Sequence, residues 1–332
     1  MHSNVDPAIL EALGLEPTSS KMVAHGGSGF SSTFKLIADK DGEQRTYFVK
    51  TGFGPEAEVM FRGEHASLNA LYSVDPSLNF VPRSHAHGPT HSGGKFFLVT
   101  DFLELGSSAP GGTGLSLAAK LAKVHTTPAP IPPGYSKPMY GFPVTTCCGS
   151  TEQDNTWTES WAEFYAERRL RAILREGLRK NGPDKELAAA VEKVADKVVP
   201  RLLGDDHLKG VYPVVVHGDL WSGNHGRGRI GGKGGAEEVV YDPACVYGHS
   251  EYELGIMRMF GGFGSGFWKE YERLVPKAEP KEEFEDRVAL YELYHHLNHF
   301  ALFGGGYRSG AMSIMRKLIA NSILEFTDLR FP

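Results

Sequence analysis

Two short apolar runs in the second half of the chain each lead into a loop that contains an aspartate. Val214–Val216 precedes the segment His-Gly-Asp-Leu-Trp-Ser-Gly-Asn at 217–224, and Val239–Tyr241 precedes Asp242. Short runs rich in β-branched residues are typical of buried strands. The pattern therefore predicts two strands that deliver polar side chains to neighbouring loops, which is a strong constraint on the fold.

An aspartate followed five residues later by an asparagine is suited to phosphoryl transfer. Asp219 can orient an attacking hydroxyl and accept its proton, whereas Asn224 and Asp242 offer the oxygen ligands that Mg2+ prefers. Each loop alone is also compatible with an ordinary turn, because Asp, Asn and Gly are common in turns. Both loops together, in this order, predict a catalytic Asp219 and the metal ligands Asn224 and Asp242 in an enzyme that uses ATP and Mg2+.

The first third of the chain has the pattern of a small antiparallel sheet with one helix. Strands are predicted at 21–25, 33–38, 45–50 and 95–102, a helix at 58–72, and a short helix starting at Asp6-Pro7. Asp41-Gly42 indicates a hairpin. The stretch 106–114, rich in Gly, Ser and Pro, marks a boundary, and the remainder is mainly helical. We therefore expect a lobe at residues 1–102, a larger helical lobe at 103–332, and an ATP cleft between them.

Several residues of the first lobe are candidates for binding ATP. The glycine-rich turn can approach phosphates, although a plain hairpin turn is the alternative. Lys50 can hold phosphates if Glu64 fixes it, although a surface lysine is the alternative and Glu56 and Glu58 are nearer in sequence. Backbone groups at 101–103 can bind adenine. The predicted ATP-binding residues are Gly26, Gly27, Ser28, Gly29, Lys50, Glu64, Asp101, Phe102 and Leu103.

The composition of this 332-residue chain limits its expected partners and cellular location. The net charge of −5 gives no basic excess for nucleic acid, and no apolar run approaches the length of a membrane helix. The start lacks the pattern of a signal peptide, and three cysteines do not make a disulfide framework. We expect a cytoplasmic protein without nucleic-acid or membrane partners, monomeric or in a weak dimer.

Longer stretches resemble one known family. They are Met60-Phe61-Arg62-Gly63-Glu64, Ala66-Ser67-Leu68, Thr145-Thr146-Cys147-Cys148-Gly149, the segment 217–224, Tyr241-Asp242-Pro243-Ala244, Tyr247-Gly248-His249-Ser250-Glu251, Met259-Phe260-Gly261-Gly262-Phe263 and Leu297-Asn298-His299. From about Lys21 to the last helices, the chain resembles the fructosamine-3-kinases, also called ketosamine-3-kinases, which are relatives of aminoglycoside phosphotransferases and choline kinases. The Thr-Cys-Cys-Gly and Gly-His-Ser-Glu stretches are specific to this family.

The resemblance implies an α+β, bilobal, protein-kinase-like fold and a defined reaction. ATP with Mg2+ would phosphorylate the hydroxyl on the third sugar carbon of a ketosamine, either free or on a glycated protein. The phosphate can then leave by elimination after loss of an acidic proton beside the ketone, which frees the amine. Many members carry a cysteine in the nucleotide loop where this chain has Phe30.

Substrate contacts are less constrained by the sequence. Trp221 can form a platform for the sugar, and Asn298 or His299 can touch it, although packing roles are the alternatives for all three. His295, His296 and His299 have metal-ligand spacing but lack the glutamate of the zinc-protease motif. The glycine-rich connection 226–235 is predicted to be an exposed hairpin tip.

Two other functions remain open at this stage. A kinase for another amino-alcohol, such as choline or an aminoglycoside, would keep the same catalytic residues but need an acidic pocket for a cationic substrate. A catalytically silent scaffold would be expected to lose the lysine or a metal ligand. Lys50, Asp219, Asn224 and Asp242 are all present, which argues against the scaffold.

Overall fold

The computed structural model describes residues 5–27 and 31–328, with side chains except those of residues 323–328. Its helices are α1 (Pro7–Leu13), α2 (Gly54–Val74), α3 (Leu117–His125), α4 (Trp161–Tyr165), α5 (Ala172–Asn181), α6 (Lys185–Lys193), α7 (Val199–Leu203), α8 (Tyr252–Phe260), α9 (Ser265–Leu274), α10 (Phe284–Phe303) and α11 (Tyr307–Asp328). Its strands are β1 (Ser20–Ala24), β2 (Ser32–Lys40), β3 (Glu43–Phe53), β4 (Ser84–Pro89), β5 (Lys95–Asp101), β6 (Leu103–Leu105), β7 (Thr146–Cys148), β8 (Thr151–Gln153), β9 (Val214–Val216), β10 (His225–Ile230), β11 (Lys233–Val240) and β12 (Val246–Gly248).

The contacts divide the chain into two compact units. The first unit comprises Met1–Val124, Val144–Glu152 and Ser222–Cys245, and the second comprises His125–Pro143, Gln153–Trp221 and Val246–Pro332. The hairpin β10–β11 therefore belongs with the sheet-rich start of the chain. The lobe boundary at residue 102 stays a prediction.

The first unit is built on an antiparallel sheet of five strands in the order β1-β2-β3-β5-β4. The predicted turn at Asp41-Gly42 is confirmed, with φ angles of 55° and 77° that glycine and aspartate tolerate better than most residues. Helix α1 covers one face of this sheet with Ile9, Leu10 and Leu13, which share a core cluster with Leu36 and Val49 among others.

The start and end of α1 follow from local chemistry. The side chain of Asp6 accepts a hydrogen bond from the amide of Ala8 at 3.0 Å, and Pro7 occupies the first helical position. Gly14 ends the helix in the left-handed region at φ 61°. The short predicted helix is therefore confirmed.

Helix α2 begins at Gly54 rather than at the predicted Glu58. Gly54 has a φ of 81°, and Pro55 suits the first turn, so the chain turns sharply out of β3 into the helix. The apolar periodicity of α2 begins only after this turn, where Ala57 and Phe61 are buried against the sheet.

The glycine-rich connection 226–235 is a hairpin with its turn at Gly231–Gly232, as predicted, but its strands are not loose. Strand β10 pairs with β11 and also with β6, where Gly228 faces Leu105 and Ile230 faces Leu103. A Cβ on Gly228 would lie 2.7 Å from the carbonyl oxygen of Glu104. Glycine is needed here because two backbones approach closely, rather than because the segment is a flexible tip.

The second unit is mainly helical and has a continuous aromatic core. Trp161, Tyr165, Tyr252 and Tyr291 are each 1% exposed or less and contact one another. Helix α10 is buried along most of its length, as predicted from its nearly all-apolar sequence. Strands β9 and β12 form a two-stranded antiparallel sheet within this unit. In the part of the chain that the structure describes, none of the helices combines the length and hydropathy of a membrane span.

Candidate active site

Lys50 lies within β3, which runs on to Phe53, and is held there by two carboxylates. Its Nζ lies 2.8 Å and 2.9 Å from the two carboxylate oxygens of Glu64 and 2.7 Å from Oδ1 of Asp242. Burial alone would lower the pKa of Lys50, but Glu64 and Asp242 raise it above its ordinary value. The lysine therefore stays a fixed cation, and Glu64, rather than Glu56 or Glu58, is its helical partner.

Helix α2 places Glu64 by packing closely against the segment that carries the Thr-Cys-Cys-Gly stretch. A Cβ on Gly63 would lie only 2.7 Å from the carbonyl oxygen of Thr145. One turn later on α2, the hydroxyl of Ser67 accepts a hydrogen bond from the amide of Cys245 at 3.0 Å. The same helix thus fixes the glutamate that pairs with Lys50 and the loop that follows Asp242.

Asn224 and Asp242 flank the open end of the β10–β11 hairpin. His225 faces Val240 in the strand register, and the amide of Tyr241 donates to the carbonyl oxygen of Asn224 at 3.0 Å. Asp242 adopts a φ of 55°, which is uncommon for a residue with a side chain and costs some backbone energy. Antiparallel pairing of β10 with β11 therefore sets Asn224, directly before β10, beside Asp242, which closely follows β11.

The donor set at this hairpin end suits Mg2+. Asp242 and Asn224 supply a carboxylate and an amide, which are hard oxygen ligands of the kind that this ion takes from proteins. The side chain of Asp242 is 51% exposed although its Oδ1 contacts Lys50, so it has room for further ligands. The residues present fit the predicted role, and no other ligand type is required.

A cavity of about 260 Å³ in the first unit gathers most of the predicted ATP-binding residues. Its lining includes the predicted residues Gly26, Gly27, Lys50, Glu64, Asp101, Phe102 and Leu103, together with Asp242. Ser28 and Gly29 of the predicted glycine turn, and Phe30, lie outside the described residues. Lys50 and Asp242 lie in the same cavity as the predicted adenine segment, so one concave surface offers groups for both the base and the phosphates.

The hairpin turn also reaches the predicted adenine segment. The amide of Gly231 donates to the carbonyl oxygen of Phe102 at 2.8 Å, and the amide of Phe102 donates to Thr46 at 3.4 Å. The carboxylate of Asp101 accepts from the amide of Arg83 at 2.9 Å and contacts His85 at 2.7 Å. The amide of Asp101 is engaged as well, since it donates to the carbonyl oxygen of Arg83 at 2.9 Å, so the main chain of Leu103 is the remaining candidate for contact with a base.

Asp219 belongs to the second unit, where its loop is tied down by a buried glutamate. The carboxylate of Glu253 accepts hydrogen bonds from the amides of His217 at 2.6 Å and Gly218 at 3.0 Å. Although burial alone would raise the pKa of Glu253, contacts from His125 and His217 hold it below the ordinary value. The charged glutamate thus holds the turn that presents Asp219.

Two further buried side chains, His125 and Tyr271, lie behind Glu253, and the sequence did not reveal them. Nε2 of His125 lies 3.5 Å from its carboxylate, and Nδ1 of His125 lies 2.7 Å from the hydroxyl of Tyr271. All three side chains are almost completely buried. Glu253 and His125 carry no recognisable spacing relative to Asp219, so only the fold brings them to the loop that carries Asp219.

The predicted substrate residues differ in their exposure. Trp221 is 40% exposed and its ring lies 5.9 Å from that of Phe260, whereas Asn298 is 1% exposed. Nδ1 of His299 lies 2.7 Å from the carbonyl oxygen of His295, so Nδ1 must donate and Nε2 of the neutral ring is an acceptor. Burial lowers the pKa of His299, which favours this neutral form. A buried Asn298 is better placed to position neighbours than to contact a sugar.

Sequence reasoning also missed several side chains that line the cavity. His25 lies against the ring of Phe102 with centroids 4.9 Å apart, and Phe48, Pro82 and Tyr241 complete the apolar part of the wall. Tyr241 belongs to the Tyr-Asp-Pro-Ala stretch, whereas His25, Phe48 and Pro82 have no motif of their own. His25 and Phe48 lie within predicted strands, a signal that many residues share.

The sequence matches one family along nearly all of its length. A family model described as fructosamine kinase matches residues 3–321. The chain is 36% identical to a protein-ribulosamine 3-kinase from Oryza sativa over 319 residues, covering 93% of this chain and 85% of that protein. It is 34% identical to a ketosamine-3-kinase from Mus musculus over 318 residues, covering 91% of this chain and 96% of that protein.

Solved structures show the same relationship at the level of the fold. A crystal structure from Thermobifida fusca whose protein is named as a fructosamine-3-kinase superposes with a TM-score of 0.74 at 25% identity, covering 95% of this chain and 98% of that chain. An aminoglycoside phosphotransferase superposes with a TM-score of 0.56 at 14% identity, covering 94% and 99% of the two chains. The expected α+β, kinase-like fold is thereby confirmed, and the chain belongs to the fructosamine kinase family.

Proposed function

We propose that this protein is an ATP-dependent kinase that phosphorylates the 3-hydroxyl of ketosamines. The observation that carries the proposal is the Lys50–Glu64–Asp242 cluster within a cavity that also contains the predicted adenine segment. Membership of the fructosamine kinase family and the names of its relatives, a ketosamine-3-kinase and a protein-ribulosamine 3-kinase, support the choice of acceptor.

Each residue of the first unit has a defined part in holding the nucleotide. The ammonium group of Lys50 binds phosphate oxygens, and Glu64 keeps it in place from the side of α2. Asn224 and Asp242 would hold Mg2+, which neutralises charge on the phosphates when bound. The main chain of Leu103 binds the base, and the glycine turn that begins with Gly26 and Gly27 covers the phosphates.

Asp219 acts on the acceptor. Its carboxylate orients the sugar hydroxyl and takes its proton as the hydroxyl oxygen forms a bond to the γ-phosphorus. The bond between that phosphorus and the bridging oxygen breaks at the same centre, so the products are ADP and the 3-phosphorylated ketosamine. Glu253 contributes by fixing the turn from which Asp219 projects.

The sugar is proposed to rest against Trp221, with Nε2 of His299 accepting from one of its hydroxyls. Trp221 supports this role because its ring is exposed and follows the catalytic aspartate closely in the chain. A flat aromatic face suits the apolar face of a sugar ring. Glycated proteins and free ketosamines both present such a ring, and either can be the acceptor.

The test is an ATP-consumption assay with fructosamine, ribulosamine, choline and kanamycin as acceptors, using wild type and Asp219→Asn. We expect turnover with the two ketosamines, and a loss of about a hundredfold or more in Asp219→Asn with ATP binding retained. Turnover with choline or kanamycin alone would replace the substrate assignment, and unimpaired Asp219→Asn would remove Asp219 as the base.

A further inference from the structure

A row of aromatic rings starts beside the catalytic loop and continues along the second unit. The ring of Trp221 lies 5.9 Å from Phe260, Phe260 lies 5.0 Å from His299, and His299 lies 5.7 Å from Phe303 and 5.0 Å from Tyr307. We call Trp221, Phe260, His299, Phe303 and Tyr307 the aromatic ladder. Its members come from the catalytic loop, the ends of α8 and α10, and the start of α11.

Three members of the ladder are exposed, unlike the aromatic core of the second unit around Trp161 and Tyr252. Trp221 is 40% exposed, Phe260 39% and Phe303 66%. Single exposed apolar residues need no explanation, but contiguous ones on a protein surface often mark a binding site. Three large hydrophobic residues exposed in one row are therefore a candidate for contact with another molecule.

Phe303, at the outer end of the ladder, is positioned by hydrogen bonds of the neighbouring backbone rather than by burial of its ring. Phe303 is the last residue of α10, and Gly304 ends the helix with a φ of 68° and an amide that donates to the carbonyl oxygen of Phe300 at 2.8 Å. Asn181 donates to the same carbonyl at 3.0 Å. The turn thus fixes Phe303 at the surface, where its ring is available to a ligand.

The chemistry of this surface favours an uncharged contact. Arg308, which follows Tyr307, is paired with Asp184 and Glu186 at distances of 3.0 Å or less. The guanidinium is therefore compensated within the protein. Recognition at the outer end of the ladder must come mainly from ring stacking and apolar contact, which suit a polypeptide segment better than a highly charged ligand.

The position of the ladder relative to Asp219 decides which part of a substrate each ring can touch. The amide of Trp221 donates to the carbonyl oxygen of Asp219 at 3.1 Å, so the first ring belongs to the acceptor site. The rings of Phe260 and His299 lie between Trp221 and Phe303, and neighbouring ring centroids in this row are at least 5.0 Å apart. The sugar proposed to rest on Trp221 reaches no further than Nε2 of His299, and Phe303 lies one step beyond that ring.

We propose that Phe303 and Tyr307 bind the polypeptide that carries the glycated amine, and so select protein-bound over free ketosamines. This rests on the proposed function, which places the sugar at Trp221. The aliphatic part of a glycated lysine would pass Phe260 and His299, and the main chain of the carrier would lie on the outer rings. The ladder is thereby continuous from the reacting sugar to its carrier.

The experiment compares two acceptors with identical chemistry at the reacting carbon. They are free Nε-fructosyl-lysine and the same residue within an otherwise uncharged ten-residue peptide. In Phe303→Ala we expect KM for the glycated peptide to rise by about tenfold, the usual weight of one good aromatic contact. The kcat for both acceptors and KM for the free amino acid should stay within about twofold on the same scale.

Two further variants separate binding from structure. Phe303→Leu keeps apolar contact and should recover part of the affinity for the peptide, whereas Phe53→Ala removes a 75% exposed ring of the first unit and should change neither acceptor. Equal changes for both acceptors in Phe303→Ala, or no change for either, would overturn the proposal. Wild type that phosphorylates neither acceptor would instead count against the proposed function.

Discussion

At the scale of single residues, the charge of Lys50 is balanced by only two side chains. Lys50 contacts two carboxylates from different parts of the chain, Glu64 on α2 and Asp242 after β11. A buried charge is tolerated only when it is paired, and removing one partner leaves the other uncompensated. Lys50, the residue proposed to bind the phosphates, is thus also the link between α2 and the Asp242 loop.

Lys50→Met should raise KM for ATP and lower kcat, because the ammonium group that holds the phosphates is lost while the stem keeps its volume. Glu64→Gln should act in the same direction but more mildly, since it frees Lys50 without removing it. Steady-state kinetics with varied ATP measure both effects. Lys180→Met, far along the sequence on α5, is a matched control that should be neutral. A neutral Lys50→Met would show that another cation binds the phosphates.

The three cysteines are expected to be insensitive to mild oxidation. Burial raises the pKa of the Cys147 thiol to about 12, with Glu152 adding to the shift, so little thiolate forms near neutral pH. Cys148 and Cys245 are 1% and 0% exposed. Treatment with diamide should leave activity and ATP affinity unchanged and give no covalent dimer on a non-reducing gel. Lost activity restored by a reductant would identify one of the three as a redox switch.

At the scale of elements, helix α2 organises the nucleotide side of the site. Glu64 pairs with Lys50 of β3, Gly63 allows the approach of Thr145, and Ser67 binds the backbone of Cys245. The Arg-Gly-Glu and Ala-Ser-Leu stretches of the sequence thus have separate physical duties on one helix. The hairpin β10–β11 makes a similar connection, since Asn224 and Asp242 lie at its open end and its turn contacts the predicted adenine segment.

Gly63→Ala tests the packing of α2. The added methyl would meet the carbonyl oxygen of Thr145 at 2.7 Å, which forces the helix away from that segment and displaces Glu64. Overpacking of this kind costs about 1–3 kcal/mol of stability. We expect a lower melting temperature together with a raised KM for ATP. Gly266→Ala is the control, because Gly266 lies on the first turn of α9 and an added methyl would meet no atom within 4 Å. Unchanged values in Gly63→Ala would mean that the segment at Thr145 yields without moving the site.

At the scale of the whole molecule, buried histidines make stability depend on pH. Burial lowers the pKa of His249 to about 4, despite the opposing effect of Glu251, and the hydroxyl of Tyr291 lies 2.8 Å from its Nδ1. Arg287 and His125 also disfavour the charged form. The neutral histidine of the folded state must take up a proton on unfolding once the pH falls below the value for an unfolded chain, about 6.5.

The free energy of unfolding should therefore decrease as the pH falls. The contribution of His249 to the free energy of unfolding is intact above about pH 6.5 and is lost progressively as the pH falls towards 4. Urea unfolding at pH 7.5, 6 and 5 should show decreasing stability, and His249→Gln should reduce that slope. His91→Gln, which changes a half-exposed side chain, is the control. An identical slope in His249→Gln and wild type would assign the acid sensitivity to other groups.

Much of the local structure could be predicted because its causes lie within a few residues. Asp6, Pro7 and Gly14 begin and end α1 by themselves, and Asp41-Gly42 makes its turn without help from the rest of the chain. The strand at Val214–Val216 and the helix at Phe284–Phe303 have the predicted bounds, since each has a simple apolar pattern. Asp242 could be placed in a loop because it directly follows a predicted strand, whereas the position of Asn224 beside it comes from the pairing of β10 with β11.

Only the tertiary structure decided which distant groups meet. The choice of Glu64 over Glu56 and Glu58, the pairing of β10 with β6, the attachment of Glu253 to the catalytic loop, and the aromatic ladder all join residues far apart in sequence. Caps, turns and apolar periods depend on neighbours along the chain, so the sequence alone determines them. Long-range contacts depend instead on how whole elements pack, and no local pattern records which of several suitable partners the packing will bring within reach.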